Sequence, residues 1–422
     1  MKVLVIGGRG REHSIAWKLS QSRHVNKIYC CPGNAGMAGI AERINVSPDD
    51  LNALVDFVKY EWLDLIIIGS ENLFSADILT AFEREGCKVW GPNGNAVRVR
   101  SSRVFEKNLM KLQRVPSAEY AIFTSNLHAQ EYIRLKGAPI EIKIDGRHAE
   151  DGVFIASKIE EATEILGRIL RDRAFGEAGR QVIVEEHLKG RKFSFVALTD
   201  GKAVMPFSSL YIYRHMNDNN EGPATGGMGA FSPGPSVSKD LEKVVLDKVM
   251  KPLLRALSAD GIKYKGAISA DLVLNNDEIR VTGFDCNFGE MELQTLLPRL
   301  ETDFTEIVSA VIEERLAELH IEWKHEASVC AVIYSKDYPG NYKAAPVISG
   351  LDELKSDPQA VVFHENTSFR NGRIVSEGGR VLSVAAAGGD IKEARKTVYD
   401  SIEKIKFEGM HYRKDIGNVD NI

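Results

Sequence analysis

Four glycine-rich segments carry the first chemical signal: Gly7-Gly8-Arg9-Gly10-Arg11-Glu12-His13, Pro32-Gly33-Asn34-Ala35-Gly36, Gly69-Ser70-Glu71-Asn72 and Gly91-Pro92-Asn93-Gly94. Each follows a short apolar run. A glycine turn that opens a helix leaves backbone N–H groups free to bind an anion. The first segment invites comparison with the dinucleotide pattern G-x-G-x-x-G, but His13 stands where the third glycine is required. That disfavours a nicotinamide site. The plain alternative for any single loop is a tight turn with no ligand; repetition along one edge favours a phosphate-bearing ligand.

The elements that must position these loops alternate regularly. Val3–Gly7, Lys27–Cys31, Leu65–Gly69 and Lys88–Gly91 read as strands, with helical patterns at Glu12–Ser20, Asp49–Lys59 and Ala76–Glu85. Such alternation implies a parallel sheet covered by helices, with ligands at the carboxyl ends of its strands. Val97–Leu112 reads as one basic helix carrying Arg98, Arg100, Arg103 and Lys107. A smaller α/β unit follows, with strands Glu141–Ile144, Val153–Ala156 and Gln181–Glu185 and a helix Ile159–Arg171. Gly222–Ala230 is too glycine-rich to read as regular structure. Strands Gly266–Leu274 and Glu278–Asp285 flank a turn, and strands Ser328–Ser335, Val361–His364 and Arg380–Ala385 precede a helix Ile391–Ile405.

The 422 residues suggest about three domains at roughly 150 residues each. With 44% hydrophobic and 27% charged residues the chain has the balance of an ordinary globular protein, which excludes global disorder. Its net charge of −5 gives no overall attraction to nucleic acid or anionic membranes. No stretch approaches the ~18 apolar residues of a membrane span. The five cysteines form no C-x-x-C pair, and adjacent Cys30 and Cys31 on a strand point to opposite faces, so a reduced cytoplasmic protein is expected.

Taken in order, Gly7–His13, Pro32–Met37, Gly69/Glu71, Lys143/Asp145-Gly146, Phe175–Gly179, Glu185-Glu186, Thr225–Ala230, Phe288-Gly289, Val362-Phe363-His364, Gly378-Gly379-Arg380-Val381 and Tyr412–Gly417 resemble the motifs of the phosphoribosylamine–glycine ligase family. The resemblance spans the whole chain. It implies an α/β ATP-grasp fold: a Rossmann-like domain over 1–101, an ATP-grasp domain over 102–322 with a small lid at about 120–188, and a C-terminal module over 323–422. It implies an ATP-dependent ligase that joins a carboxylate to an amine through an acyl phosphate, with ATP and Mg²⁺, on a phosphoribosyl-type amine and an amino acid or other carboxylate. A monomer or weak homodimer is expected.

On that resemblance Arg103 and Lys143 would meet nucleotide phosphates, and Glu185, Glu186 and Leu188 would lie near adenine. Asp271 and Asp285 would hold metal, with Asp285 also catalytic alongside Arg103 and Lys143. Gly8, Arg11, Glu12, Asn34, Glu71 and Thr225, Gly226, Gly227, Met228 and Gly229 would contact the amine substrate. The sequence departs from the family pattern at Glu150 and Asp151, which stand for a glycine and a lysine, and at Gly283, which stands for a metal glutamate. Those departures set the alternative: an inactive relative kept for ligand binding or as a scaffold.

Overall fold

The computed structural model describes every residue except 70–75, 92–94, 147–151, 235–236, 341–344, 356–358 and 420–422. The N-terminal apolar runs form a five-stranded parallel sheet in the order Glu42–Arg43, Lys27–Pro32, Lys2–Gly7, Leu65–Ile68, Lys88–Trp90. Side chains alternate between two cores: Val3, Val5, Cys30, Leu65 and Ile67 enter one, and Leu4, Ile6, Cys31, Ile66 and Ile68 the other. Alternation along a strand demands this, and it separates Cys30 from Cys31 as expected. All five cysteines are buried and unbridged. Strand order reverses beside Lys2–Gly7, so the loop opening helix Gly10–Leu19 sits at the crevice where such sheets bind ligands.

The second layer is a four-stranded antiparallel sheet in the order Tyr120–Phe123, Val182–Glu186, Ile140–Ile144, Val153–Ala156. Ile140, Ile142, Ile144, Val182 and Val184 pack on the helices Asn126–Lys136 and Ile159–Leu166. Period-two alternation therefore turns Glu141, Lys143 and Glu185 to the other face. The helix expected over Ile159–Arg171 changes to a π-helical turn from Gly167 onward.

The third sheet has nine strands: Glu278–Cys286, Gly266–Asn275, Arg191–Thr199, Val204–Asn217, Glu221–Ser232, Ala327–Ser335, Arg380–Gly388 and Ala360–His364 in order, with Met410–Tyr412 also on Ala327–Ser335. Two expectations are corrected. Gly222–Ala230, read as irregular, lies inside the strand Glu221–Ser232. Its glycines answer to close packing: a Cβ at Gly229 would sit 2.7 Å from the Cys330 carbonyl oxygen, and one at Gly227 (φ +111°) 2.6 Å from Met291 Cγ. The helix expected over Val97–Leu112 is two, Arg98–Ser101 and Arg103–Leu112. Ser102 breaks it with extended backbone and caps the second helix by accepting from Phe105 N.

The C-terminal residues close onto the first domain through His13 and His364. His364 N donates to His13 Nδ1 at 2.9 Å, and both rings are buried. Burial pushes His13 well below its ordinary pKa and His364 down to about 4. Both imidazoles stay neutral in the fold and take up protons on unfolding, so stability falls as pH drops below about 6.5. For His364 alone the loss between pH 7 and 5 should be about 2 kcal/mol. Chemical denaturation of His364→Gln at the two pH values should show a dependence shallower by that amount; equal slopes would contradict it.

Candidate functional site

Two groups of charged residues stand out among the described residues. The first lies on the face of the small sheet turned away from its helices. Glu185, 1% exposed at its side chain, is held between two ammonium groups, 2.5 Å from Lys107 Nζ and in contact with Lys143 Nζ. Lys143 also meets Glu141 at 3.2 Å, and Glu141 meets His187 Nδ1 at 2.8 Å. Burial alone would push the Glu185 carboxyl up, but the two lysines outweigh it and hold its pKa below the ordinary value. Burial would likewise depress Lys143, and Glu185 with Glu141 outweighs it. These side chains form a buried ion-pair network of two lysines and two glutamates.

The loop after Lys143 is fastened at its root. Asp145 Oδ1 accepts from Ser102 Oγ at 2.8 Å and Val104 N at 2.9 Å. Arg103 Nη1 donates to the carbonyls of Ile144 and Gly146, at 2.8 and 3.3 Å. Arg103, expected at nucleotide phosphates, therefore has its guanidinium against the base of that loop. The acidic stretch at Glu150 and Asp151 lies outside the described residues. Glu186 pairs with Arg280 at 2.5 Å, and half-buried Leu188 begins the crossing into the large sheet.

Asp271 and Asp285 occupy neighbouring strands across the cleft, where Ser269 pairs with Asp285 and Asp271 with Gly283. Each is ion-paired to an arginine: Arg214 Nη2 lies 2.8 Å from both Asp271 oxygens, and Arg100 Nε 3.0 Å from Asp285 Oδ1. Ser194 Oγ donates to Asp271 Oδ1 at 2.5 Å. Glu292 is buried beside them, its carboxyl pushed up to about 7 chiefly by that burial.

The second group lies at the junction of the first domain with both later parts. Gly7 and Gly69 leave room for Glu12: a Cβ at Gly69 would fall 2.2 Å from Glu12 Oε1. Glu12 pairs with Arg11 at 2.8 Å and caps its own helix by accepting from Arg9 N at 2.8 Å. Arg11 Nη1 reaches the Phe288 carbonyl at 2.8 Å, and its backbone N–H reaches Glu290 at 3.0 Å. Asn34 clamps three segments, donating to Gly8 O at 2.9 Å and His364 O at 2.8 Å and accepting from Gly36 N. From the other side Arg380 pairs with Glu365 at 2.9 Å and donates to Gly227 O at 3.2 Å. Thr225 to Met228 form a bulge between the pairs Tyr213–Gly229 and His215–Ala224, which sets them toward this junction. Gly8, Arg11, Glu12, Asn34 and Thr225–Gly229 are therefore brought together; Glu71 lies outside the described residues.

Lys107, Glu141, His187, Arg214, Glu290, Glu365 and Arg380 were not singled out by sequence as site residues. Lys107 had a signal, standing one helical turn after Arg103 on the same basic face. Glu365 had none.

A small antiparallel sheet facing a large one across a lysine-lined cleft defines the ATP-grasp class. A crystal structure of phosphoribosylamine–glycine ligase from Thermotoga maritima superposes with a TM-score of 0.84 over 98% of this chain and 100% of that one, at 24% identity. The biotin carboxylase domain of Hydrogenobacter thermophilus 2-oxoglutarate carboxylase, solved with MgADP, ADP and bicarbonate, superposes with a TM-score of 0.69 over 97% and 91%, at 14% identity. In sequence, residues 1–99, 101–293 and 328–419 match the N, ATP-grasp (A) and C domains of phosphoribosylglycinamide synthetase. Phosphoribosylamine–glycine ligase of Caldanaerobacter subterraneus is 42% identical over 99% of both chains, and that of Escherichia coli 37% over 99% and 98%. The chain belongs to the phosphoribosylglycinamide synthetase family. Among the described residues no helix is long and apolar enough to cross a membrane.

The buried charges give a direct test. Glu185→Gln leaves Lys143 and Lys107 without their shared counter-charge, and breaking a buried pair costs roughly 3–5 kcal/mol. Urea denaturation at pH 7 should register a loss of that size; a loss under about 1 kcal/mol would show that the lysines find other partners.

Proposed function

We propose that this protein is an ATP-dependent phosphoribosylamine–glycine ligase, forming an amide bond between the amine of a phosphoribosyl substrate and the carboxyl group of glycine. The observation that carries the reading is likeness to ligases of that name along the whole of both chains, 42% identical in one case. The geometry supports it. A carboxylate oxygen attacks the γ-phosphorus and ADP departs; the amine nitrogen then attacks the acyl carbon and phosphate departs. The first group suits the nucleotide, with Lys143 countering phosphate charge, Arg103 fastening the root of the loop beside it, and Glu185, Glu186 and Leu188 on the base side. The second suits the amine, through Gly8, Arg11, Glu12, Asn34, Glu71 and Thr225–Gly229.

The donor set of Asp271 and Asp285 fits Mg²⁺ in kind, since both are hard carboxylate oxygens. The ion would supply neutralisation of charge building on the transferred phosphoryl group. In this reading the chain divides into 1–101, 102–322 and 323–422, and works in the cytoplasm on small molecules as a monomer or weak homodimer.

Calorimetry with Mg-ATP should show binding, and ADP release should require phosphoribosylamine and glycine together. Lys143→Met should lower the rate by roughly 10²–10³, the typical cost of one charge-stabilising donor. Absence of nucleotide binding at millimolar Mg-ATP would overturn the reading and favour a non-catalytic ligand-binding role. Equal turnover in Lys143→Met would refute the assigned role of that lysine.

A further inference from the structure

The charges around Asp271 and Asp285 carry an inference that rests on the nucleotide reading above and goes beyond it. The two aspartates lie on one face of adjacent strands, Asp285 opposite Ser269 and Asp271 two residues further along. Cross-strand diagonals of this kind place side chains roughly 7–8 Å apart at their roots, within the reach of one shared cation. Arg214 holds Asp271 and Arg100 holds Asp285, so a divalent cation taken by the two carboxylates would have to displace guanidinium groups.

The two arginines come from elsewhere in the fold. Arg214 lies on the strand Val204–Asn217, separated from Asp271 by the strand Arg191–Thr199, and reaches across Ser194 to chelate both carboxylate oxygens with one nitrogen. Arg100 approaches Asp285 from the short helix Arg98–Ser101. Asp271 is the foremost of the groups that raise the Arg214 pKa, with smaller contributions from Asp285 and Glu292.

Exposure separates these pairs from the buried lysine–glutamate network. The Arg214 and Asp271 side chains are 41% and 34% exposed, those of Arg100 and Asp285 33% and 26%. Glu185 with Lys107 and Lys143 is sealed. Ion pairs open to solvent are held weakly and exchange partners readily, whereas removing one partner of a sealed pair is costly. The backbone of Arg214 is anchored meanwhile, because Thr225 Oγ1 donates to its carbonyl at 2.9 Å and accepts from Gly227 N at 3.1 Å. Only the side chain is free to swing, and it is rooted on the residue that bonds the substrate-facing bulge.

We propose that Arg214 and Arg100 are exchangeable counter-charges: they hold Asp271 and Asp285 while no divalent cation is bound, and pass to phosphate oxygens when cation and nucleotide enter. The arginines and the cation then compete for the aspartates, while the aspartates and phosphate compete for the arginines.

The competition predicts opposite effects from the two sides of one pair. Mn²⁺ binding to nucleotide-free protein, followed by electron paramagnetic resonance, should tighten at least about fivefold in Arg214→Gln, a usual lower bound for coupled sites. ADP binding measured by calorimetry in EDTA should weaken in Arg214→Gln and tighten in Asp271→Asn, whose arginine is released to the phosphates. Arg214→Lys should bind Mn²⁺ nearer to the wild type than Arg214→Gln does, and circular dichroism should show all variants folded. Unchanged or weaker Mn²⁺ binding in a folded Arg214→Gln would overturn the proposal, as would weaker metal-free ADP binding in Asp271→Asn. If the unaltered protein binds no ADP with or without Mg²⁺, the nucleotide reading itself fails and the phosphate half of the exchange with it. The Mn²⁺ comparison separately decides whether arginine and cation compete.

Discussion

Glycines set the course of the strand Glu221–Ser232 through the middle of the large sheet. That strand pairs with Val204–Asn217 on one side and Ala327–Ser335 on the other, so the large sheet runs unbroken from the hairpin Gly266–Cys286 into the C-terminal residues. Side chains larger than glycine at 227 and 229 would collide with Met291 and with the backbone of the next strand. The bulge at Thr225–Met228 then has two attachments: Thr225 to the carbonyl of Arg214, and the Gly227 carbonyl to Arg380. One faces the carboxylate cluster, the other the three-part junction. A reaction that activates a carboxylate in one place and delivers an amine to it from another needs such a shared wall.

Electrostatics divides the walls into fixed and yielding parts. The sealed trio of Lys107, Glu185 and Lys143 gains its ionisation from mutual contact, since each charge would be costly alone. The junction has a similar sealed pair in Glu365 and Arg380, where burial pushes the carboxyl up and Arg380 opposes it. Between them the aspartate–arginine pairs remain open to solvent. Rigid charges can pre-position a ligand, whereas open ones can rearrange around it.

Much of the framework was legible in the sequence because local and tertiary preferences agree there. The strands Lys2–Gly7, Lys27–Pro32 and Gly266–Asn275 stand within a residue or two of their expected bounds. Gly222–Ala230 was misread because glycine's local preference is for turns, while its use here is to admit a neighbouring backbone. Ser102 was missed as a break because a run of arginines on both sides continues the helical pattern through it. The partners of the candidate site were the least legible. Lys107 and Glu185 lie in different elements, as do Arg214 and Asp271, and only the fold makes them neighbours. Ordered motifs nonetheless located Arg11, Glu12, Asn34 and Thr225–Gly229, which the structure gathers at one junction.

Activation of a carboxylate by phosphoryl transfer, followed by its capture by an amine across this wall, leaves an isotopic record. With glycine labelled by ¹⁸O at both carboxylate oxygens, Mg-ATP and phosphoribosylamine, inorganic phosphate should carry one ¹⁸O from glycine in each turnover. Phosphate released without label, with amide still formed, would contradict it.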